Sequence, residues 1–206
     1  MELGATEPDP VEEIGLNEKE EMAEELRPLS QLLSMLESEA SLDLAVEALE
    51  GCSEGLNGSP LGPVLAGDWL GHAVHPALTD LPIGFWTSAS VVDLVGGHAG
   101  RPIARHLVGL GVLSAVPTVL TGLSEYSRLG APGDRRVGAV HGLGNAVAIG
   151  CYVASWRDRR RGRNLRGIAW SVVGGSVATF TGYLGGHLAF GTQNAPESGP
   201  ELSVPE

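Results

Sequence analysis

Four of the chain's six histidines, His72, His75, His141 and His187, are spaced so that folding of the apolar stretches between them brings all four to one end of a helical bundle. His72 and His75 stand ahead of a first apolar stretch, with Asp80 one turn further in; Glu125 and Tyr126 close a second. His141 and Asn145 lie one and two turns into a third, four residues apart and therefore on one side of a helix. His187 falls in the last turn of a fourth. Neutral imidazole is the commonest protein ligand for metals, and its second nitrogen needs a hydrogen-bond partner that holds the ring. Two histidines on facing helices also hold a haem iron axially. The chemistry on offer is therefore binding of haem b or of a metal ion in a redox or electron-transfer role. His75 and His141 are the first ligands, His72 and His187 the next, with Asp80, Glu125 and Asn145 orienting them. Without a cofactor, the same side chains would cap helices, hydrogen-bond between helices or form a proton network.

Four apolar stretches must position these groups: Pro76–Gly97, Ala104–Leu123, Val137–Trp156 and Gly167–Phe190. Each has about 20 residues, the length that about 30 Å of hydrocarbon requires at about 1.5 Å per residue. Val137–Ser155 and Gly167–Phe190 carry no Asp, Glu, Lys or Arg, whereas the helices of a soluble bundle need a polar outer face. Gly138/Gly142 and Gly182/Gly186 are pairs of small residues that let helix backbones approach closely. Pro82 is expected to kink the first helix, and Pro117 sits near the middle of the second. The fold expected is all-α: a four-helix transmembrane bundle over residues 61–192, after an acidic N-terminal tail (1–60) and before a disordered tail (193–206).

A mean hydropathy of +0.09 and a pI near 4.9 average over two unlike parts. Of the 25 Asp and Glu residues, 16 lie within Met1–Glu54, whereas residues 60–192 hold six acids against eleven Arg. Within the tail, Met1–Glu25 reads as disordered or a frayed helix. Leu29, Leu32, Leu33 and Leu36 fall at helical spacing, Ser41 is a plausible cap, and Leu44, Val46 and Leu49 continue as a second short amphipathic helix. Gly51–Pro63 reads as the linker. Such a tail either solubilises the chain or docks on the bundle, a second copy or a partner.

Cys52 and Cys151 are far apart and form no CxxC, which excludes a disulfide scaffold or a cysteine-based zinc finger. The first 60 residues lack the pattern of a signal peptide. There is no phosphate-binding glycine loop, GxSxG, HExxH or basic-aromatic nucleic-acid surface. No reaction is identifiable, so the chain is not called an enzyme. Six Arg in Arg157–Arg166, with Arg101 and Arg105, outweigh Arg128, Arg135 and Arg136 at the other end. This bias puts the first and third connections of a multi-pass membrane protein in the cytoplasm. The partners expected are the lipid bilayer, a second copy of the chain and a redox partner, with nucleic acid excluded.

The segment Gly71-His72-Ala-Val-His75-Pro76-Ala-Leu78-Thr-Asp80-Leu-Pro82-Ile-Gly84 resembles the signature GHxxHPxLxxxPxG of an uncharacterised prokaryotic membrane family, domain of unknown function 2231. Thr121-Gly122-Leu-Ser-Glu125-Tyr126, then Arg136, His141 and Asn145, then Tyr183-Leu-Gly185-Gly186-His187 follow in the family's order, so the resemblance covers about Leu61–Gly191. Glu125-Tyr126 replaces the family's usual Asp-Trp. The resemblance implies the helical fold and the membrane location. Some members are fused to a Rieske iron–sulfur domain, but the paired Cys-x-His segments of such a domain are absent here. The alternative to a cofactor site is a cofactor-free structural or regulatory membrane protein whose acidic tail binds a partner.

Overall fold

The computed structural model describes residue 24 and residues 27–191; the rest of Met1–Glu25 and the expected tail 193–206 lie outside the described residues. Every regular element among the described residues is helical. An arm of α1 (27–38), a 3₁₀ turn (Ala40–Leu42), α2 (Asp43–Asn57) and a single turn α3 (Gly62–Leu65) precedes four long helices. These are α4 (His75–Val95), α5 (Gly97–Tyr126), α6 (Pro132–Arg160) and α7 (Asn164–Gly186), which continues as a π-helical turn (His187–Gly191).

The arm departs from its expected outline in two places. Ser41 is not a cap: Glu39 takes that position, its carboxylate accepting the Ser41 N–H. Gly51–Asn57 is not linker but the second half of α2. Glycine disfavours a helix interior by about 1 kcal/mol, yet this segment is fastened from outside. Asn57 Nδ2 donates to the Ser124 carbonyl at 2.9 Å, and the Ser124 hydroxyl donates to Asn57 Oδ1 at 2.5 Å. The buried Ser53 hydroxyl accepts the Ser127 N–H.

The four long helices form two antiparallel hairpins, α4 with α5 and α6 with α7, joined through an α5–α6 contact. Pro76 lies in the first turn of α4, where its missing N–H costs nothing. Pro82 leaves the Leu78 carbonyl without its helical donor. The Thr118 hydroxyl of α5 lies 3.1 Å from that carbonyl and takes the role. Between α4 and α5 the expected Arg-bearing loop shrinks to Gly96–Gly97, with Gly97 at a φ of +53°. Arg101 and Arg105 therefore belong to α5, which has 30 residues.

Two of these helices, α5 and α6, are long and apolar enough to cross a membrane, and only 33% of each apolar window is buried. A core helix of a soluble protein would hide most of it, so the apolar surface here faces outward. Sequence reading expected four spans. α4 and α7 fall short of the same apolarity because Asp80, Asp93, Pro and Thr in α4 and the Gly, Ser and Thr of α7 dilute it. Both nonetheless expose large apolar side chains, Leu94 and Val95 on α4 and Val172 and Val173 on α7. Buried residues gather in two small cores. Trp86, Ala89, Val108, Ala115 and Tyr152 fill mid-bundle, and Leu33 of the arm packs on Val137 and Leu184.

Candidate functional site

His75, the first residue of α4, and His141, in the third turn of α6, face each other with ring centroids 6.4 Å apart and planes at 86°. Each ring is held the same way. His75 Nδ1 lies 2.9 Å from the Thr118 carbonyl of α5, and His141 Nδ1 lies 2.7 Å from the Thr181 carbonyl of α7. A carbonyl only accepts, so both Nδ1 atoms carry the proton and both Nε2 atoms keep the lone pair that ligates a metal. Glycines make the approach to the backbone possible. A Cβ at Gly122 would stand 2.7 Å from the His75 ring, and one at Gly185 2.7 Å from the His141 ring.

The two histidines differ in their second nitrogen. Asn145 donates its amide to His141 Nε2 at 3.1 Å and accepts the Thr181 hydroxyl at 2.9 Å, so it occupies the nitrogen that a metal would use rather than the one that orients the ring. Glu125 also reaches the site, but through the backbone: its carboxylate accepts the His75 N–H at 3.1 Å and so caps α4. The remaining three candidates stand elsewhere. His72 is exposed, its Nδ1 3.1 Å from the Leu70 carbonyl, and lines a shallow recess with Asp68 and Arg128. Asp80 is exposed. His187 turns to the arm, its Nε2 3.3 Å from Glu37. The four-histidine convergence thus resolves into one facing pair and two histidines with other neighbours.

Four residues that sequence reading did not single out share a line with the pair. Trp86 and Tyr152 stack at 3.9 Å and 6°. Beyond them Asp93 and Arg159 form a two-pronged ion pair, at 2.8 and 2.6 Å, with side chains only 9% and 1% exposed. His75/His141, Trp86/Tyr152 and Asp93/Arg159 are all 66 positions apart. In each hairpin the histidine is followed at eight, nine and eleven residues by Ile, Gly and an aromatic: Ile83, Gly84 and Trp86 in α4, Ile149, Gly150 and Tyr152 in α6. The second helices repeat too. Gly111, Ala115, Thr118 and Gly122 of α5 recur as Gly174, Ala178, Thr181 and Gly185 of α7, each 63 positions on. The two hairpins are copies of one pattern. Equivalent residues touch one another only where a two-fold axis passes, so the axis runs between α4 and α6 through these three pairs. Comparing the chain with itself at that offset was the signal available in the sequence.

The arm covers the end of the bundle nearest the histidine pair. Its acids meet the arginines there: Asp43 with Arg136 at 2.8 Å, Glu50 with Arg135 at 2.6 Å, and in the following segment Asp68 with Arg128 at 2.8 Å. The Arg136 hydrogen bond holds the Asp43 carboxyl below the usual aspartate range.

The profile of a family described as predicted membrane protein, DUF2231, matches residues 71–195, which takes in all four long helices, both histidines and the repeated pattern. The chain belongs to the DUF2231 family. Membership places this DUF2231 chain in contact with the lipid bilayer, in keeping with the outward apolar faces of α5 and α6. No curated protein and no solved structure matches the chain.

Proposed function

We propose that this DUF2231 chain is a four-span protein of a prokaryotic plasma membrane in which His75 and His141 form a two-histidine site for haem b or a metal ion, serving electron transfer. The facing pair carries this reading. Two imidazoles sharing one metal through bonds of about 2.0–2.1 Å would have their centroids up to about 6 Å apart; here they are 6.4 Å apart, so His75 and His141 would hold such an ion between them. Both rings already have the tautomer that ligation needs, and both are fixed by main-chain acceptors. Backbones of α4 and α6 stay apart along the axis, where side chains make the contact. A bound haem would supply one-electron chemistry. Ligation by His141 requires the Asn145 amide to swing off Nε2.

Four spans are favoured by the outward apolar residues on all four long helices, including Leu113 on α5 and Val147 on α6, and by the equivalence of α4–α5 to α6–α7. If α5 and α6 cross the bilayer, their repeat partners α7 and α4 do so alongside them. The arginine bias sets the α4–α5 and α6–α7 turns in the cytoplasm. A redox partner would then dock at the arm end.

A specific observation favours the second reading, a cofactor-free structural protein. Asn145 already satisfies His141 Nε2, so the pair is also a sufficient device for tying α4 to α5 and α6 to α7. Visible spectra of the detergent-purified protein, oxidised and dithionite-reduced, with elemental analysis of the same sample, separate the two. Haem or a metal held by His75 and His141, at about one per chain, lost in both His75→Ala and His141→Ala but kept in His72→Ala, is the result expected. An empty wild-type protein after expression with haem and metals supplied gives the cofactor-free reading.

A further inference from the structure

We infer that Glu37, Asp134 and His187 form a second, independent site, which binds a divalent cation and fastens the N-terminal arm to the bundle. The three residues come from three elements remote in sequence: the end of α1, the first turn of α6 and the π-helical turn after α7. Each offers one ligating atom, and these atoms all lie within 4.8 Å of one another. His187 Nε2 and Glu37 Oε1, at 3.3 Å, are already at the separation of two atoms on one metal with bonds of about 2.0–2.2 Å.

Electrostatics asks for a cation at this point. Glu37 and Asp134 bring two carboxylates together on half-buried side chains, and one imidazole cannot offset both. Arg136, two residues from Asp134, is engaged by both oxygens of Asp43 and by the Glu37 carbonyl. Asp134 makes no hydrogen bond or ion pair of its own among the described residues beyond this group.

The backbone is shaped for the encounter. Gly133 precedes Asp134, and a Cβ there would come within 3.1 Å of the Glu37 Cβ, so a larger residue would push α1 outward by a few tenths of an ångström. Leu33, one turn before Glu37, is buried against Val137 and Leu184 and fixes the register of the arm. One imidazole with two carboxylates is a donor set for Mn²⁺, Fe²⁺ or Zn²⁺ rather than for a soft ion such as Cu⁺. Binding requires the arm to be closed, so the ion shifts the arm toward the closed state by mass action. Occupancy of the site thereby controls how the end of the bundle beside His75 and His141 is covered.

The test uses the full-length protein in detergent, stripped with EDTA and titrated with Mn²⁺ alone. Loss of the free-ion EPR signal measures binding, and hydrogen exchange over residues 27–38 reports arm closure. One Mn²⁺ site per chain is expected, weakened by about 10-fold or more in Asp134→Asn and in His187→Ala, unchanged in His72→Ala, and competed by Zn²⁺. In the wild type, Mn²⁺ slows exchange in the arm at least about 10-fold. Absence of a stoichiometric site in the wild type, equal Mn²⁺ affinity in the variants, or arm exchange indifferent to Mn²⁺ each overturns the proposal. Because the wild-type exchange measurement stands by itself, a variant that fails to fold does not blunt the test. Haem content at the His75/His141 site is read separately from the visible spectrum, so failure of one site is not mistaken for failure of the other.

Discussion

At the scale of single residues, the Asp93–Arg159 pair shows what burial demands of a charge. The side chains are 9% and 1% exposed, and the guanidinium engages both carboxylate oxygens as well as the hydroxyls of Ser155 and Ser171. Taking two ions out of water is costly, and two parallel charge-assisted hydrogen bonds offset that cost only while both partners are present. Asp93→Asn keeps the shape but leaves Arg159 as an uncompensated buried cation, which should destabilise the fold by about 3–5 kcal/mol. The double change Asp93→Leu with Arg159→Met should recover most of that loss. Denaturation midpoints of the three proteins in one detergent check this, and a single variant as stable as wild type would show that water reaches the pair. Read locally, the sequence did not disclose this ion pair. Asp93 was counted only as an acid of the apolar part, and Arg159 only as one of six arginines near the third connection. Nothing local distinguishes Arg159 from Arg160, which instead sits exposed over the Trp156 ring at 4.8 Å. What distinguishes them is which side of α6 faces α4, and the apolarity all round that helix hides it.

At the scale of elements, the arm is the part whose partner the sequence left open and the structure chose. Helical spacing of the leucines foretold an amphipathic segment, which could solubilise the chain or dock on the bundle, a second copy or a partner. The choice of surface lies in the matching of Asp43 and Glu50 to Arg136 and Arg135 and in the burial of Leu33. This gives the docking a pH dependence. Asp43 titrates below its unfolded value because Arg136 hydrogen-bonds its carboxylate. Its contribution to docking is therefore fully present above the ordinary aspartate range and is lost as pH falls through the lowered folded value. Protection of the α1 and α2 amides, taken relative to the intrinsic exchange rate at each pH, should fall on going from pH 7 to pH 3, and Asp43→Asn should be less protected at pH 7 and show a smaller change. Equal profiles for the two proteins would remove Asp43 from the groups that hold the arm. The effect is modest, since the pair is exposed to solvent on the Asp43 side.

At the scale of the molecule, two copies of a helical hairpin surround an axis, across which His75 and His141, Trp86 and Tyr152, and Asp93 and Arg159 are counterparts, whereas Asn145 has Thr79 in its place. The parallel arrangement gives both hairpins the same polarity, so the α4–α5 and α6–α7 turns share one face and the arm docks on the other. The proposed orientation follows from the arginines and has a direct check in the native cysteines. Cys52 is exposed on the arm and Cys151 is buried, so a membrane-impermeant maleimide added to intact cells should label the protein through Cys52 alone, and Cys52→Ser should abolish labelling. Labelling that needs permeabilised cells would reverse the orientation while leaving the fold untouched.

Composition and spacing by themselves determined that the chain is helical, that its acids and its apolar helices are separate parts, and that it belongs with a membrane. These follow from properties summed over twenty residues at a time, which survive any detail of packing. His75 and His141 were also legible as partners, because polar side chains in apolar helices need each other. The tertiary structure alone decided that His72 and His187 stand apart from that pair, that Gly51–Asn57 is helix, and that Asp93 finds Arg159. Each of these depends on the rotation of one helix about its own axis. A residue's number fixes its place along the helix, whereas neighbours on the other helices fix the direction it faces.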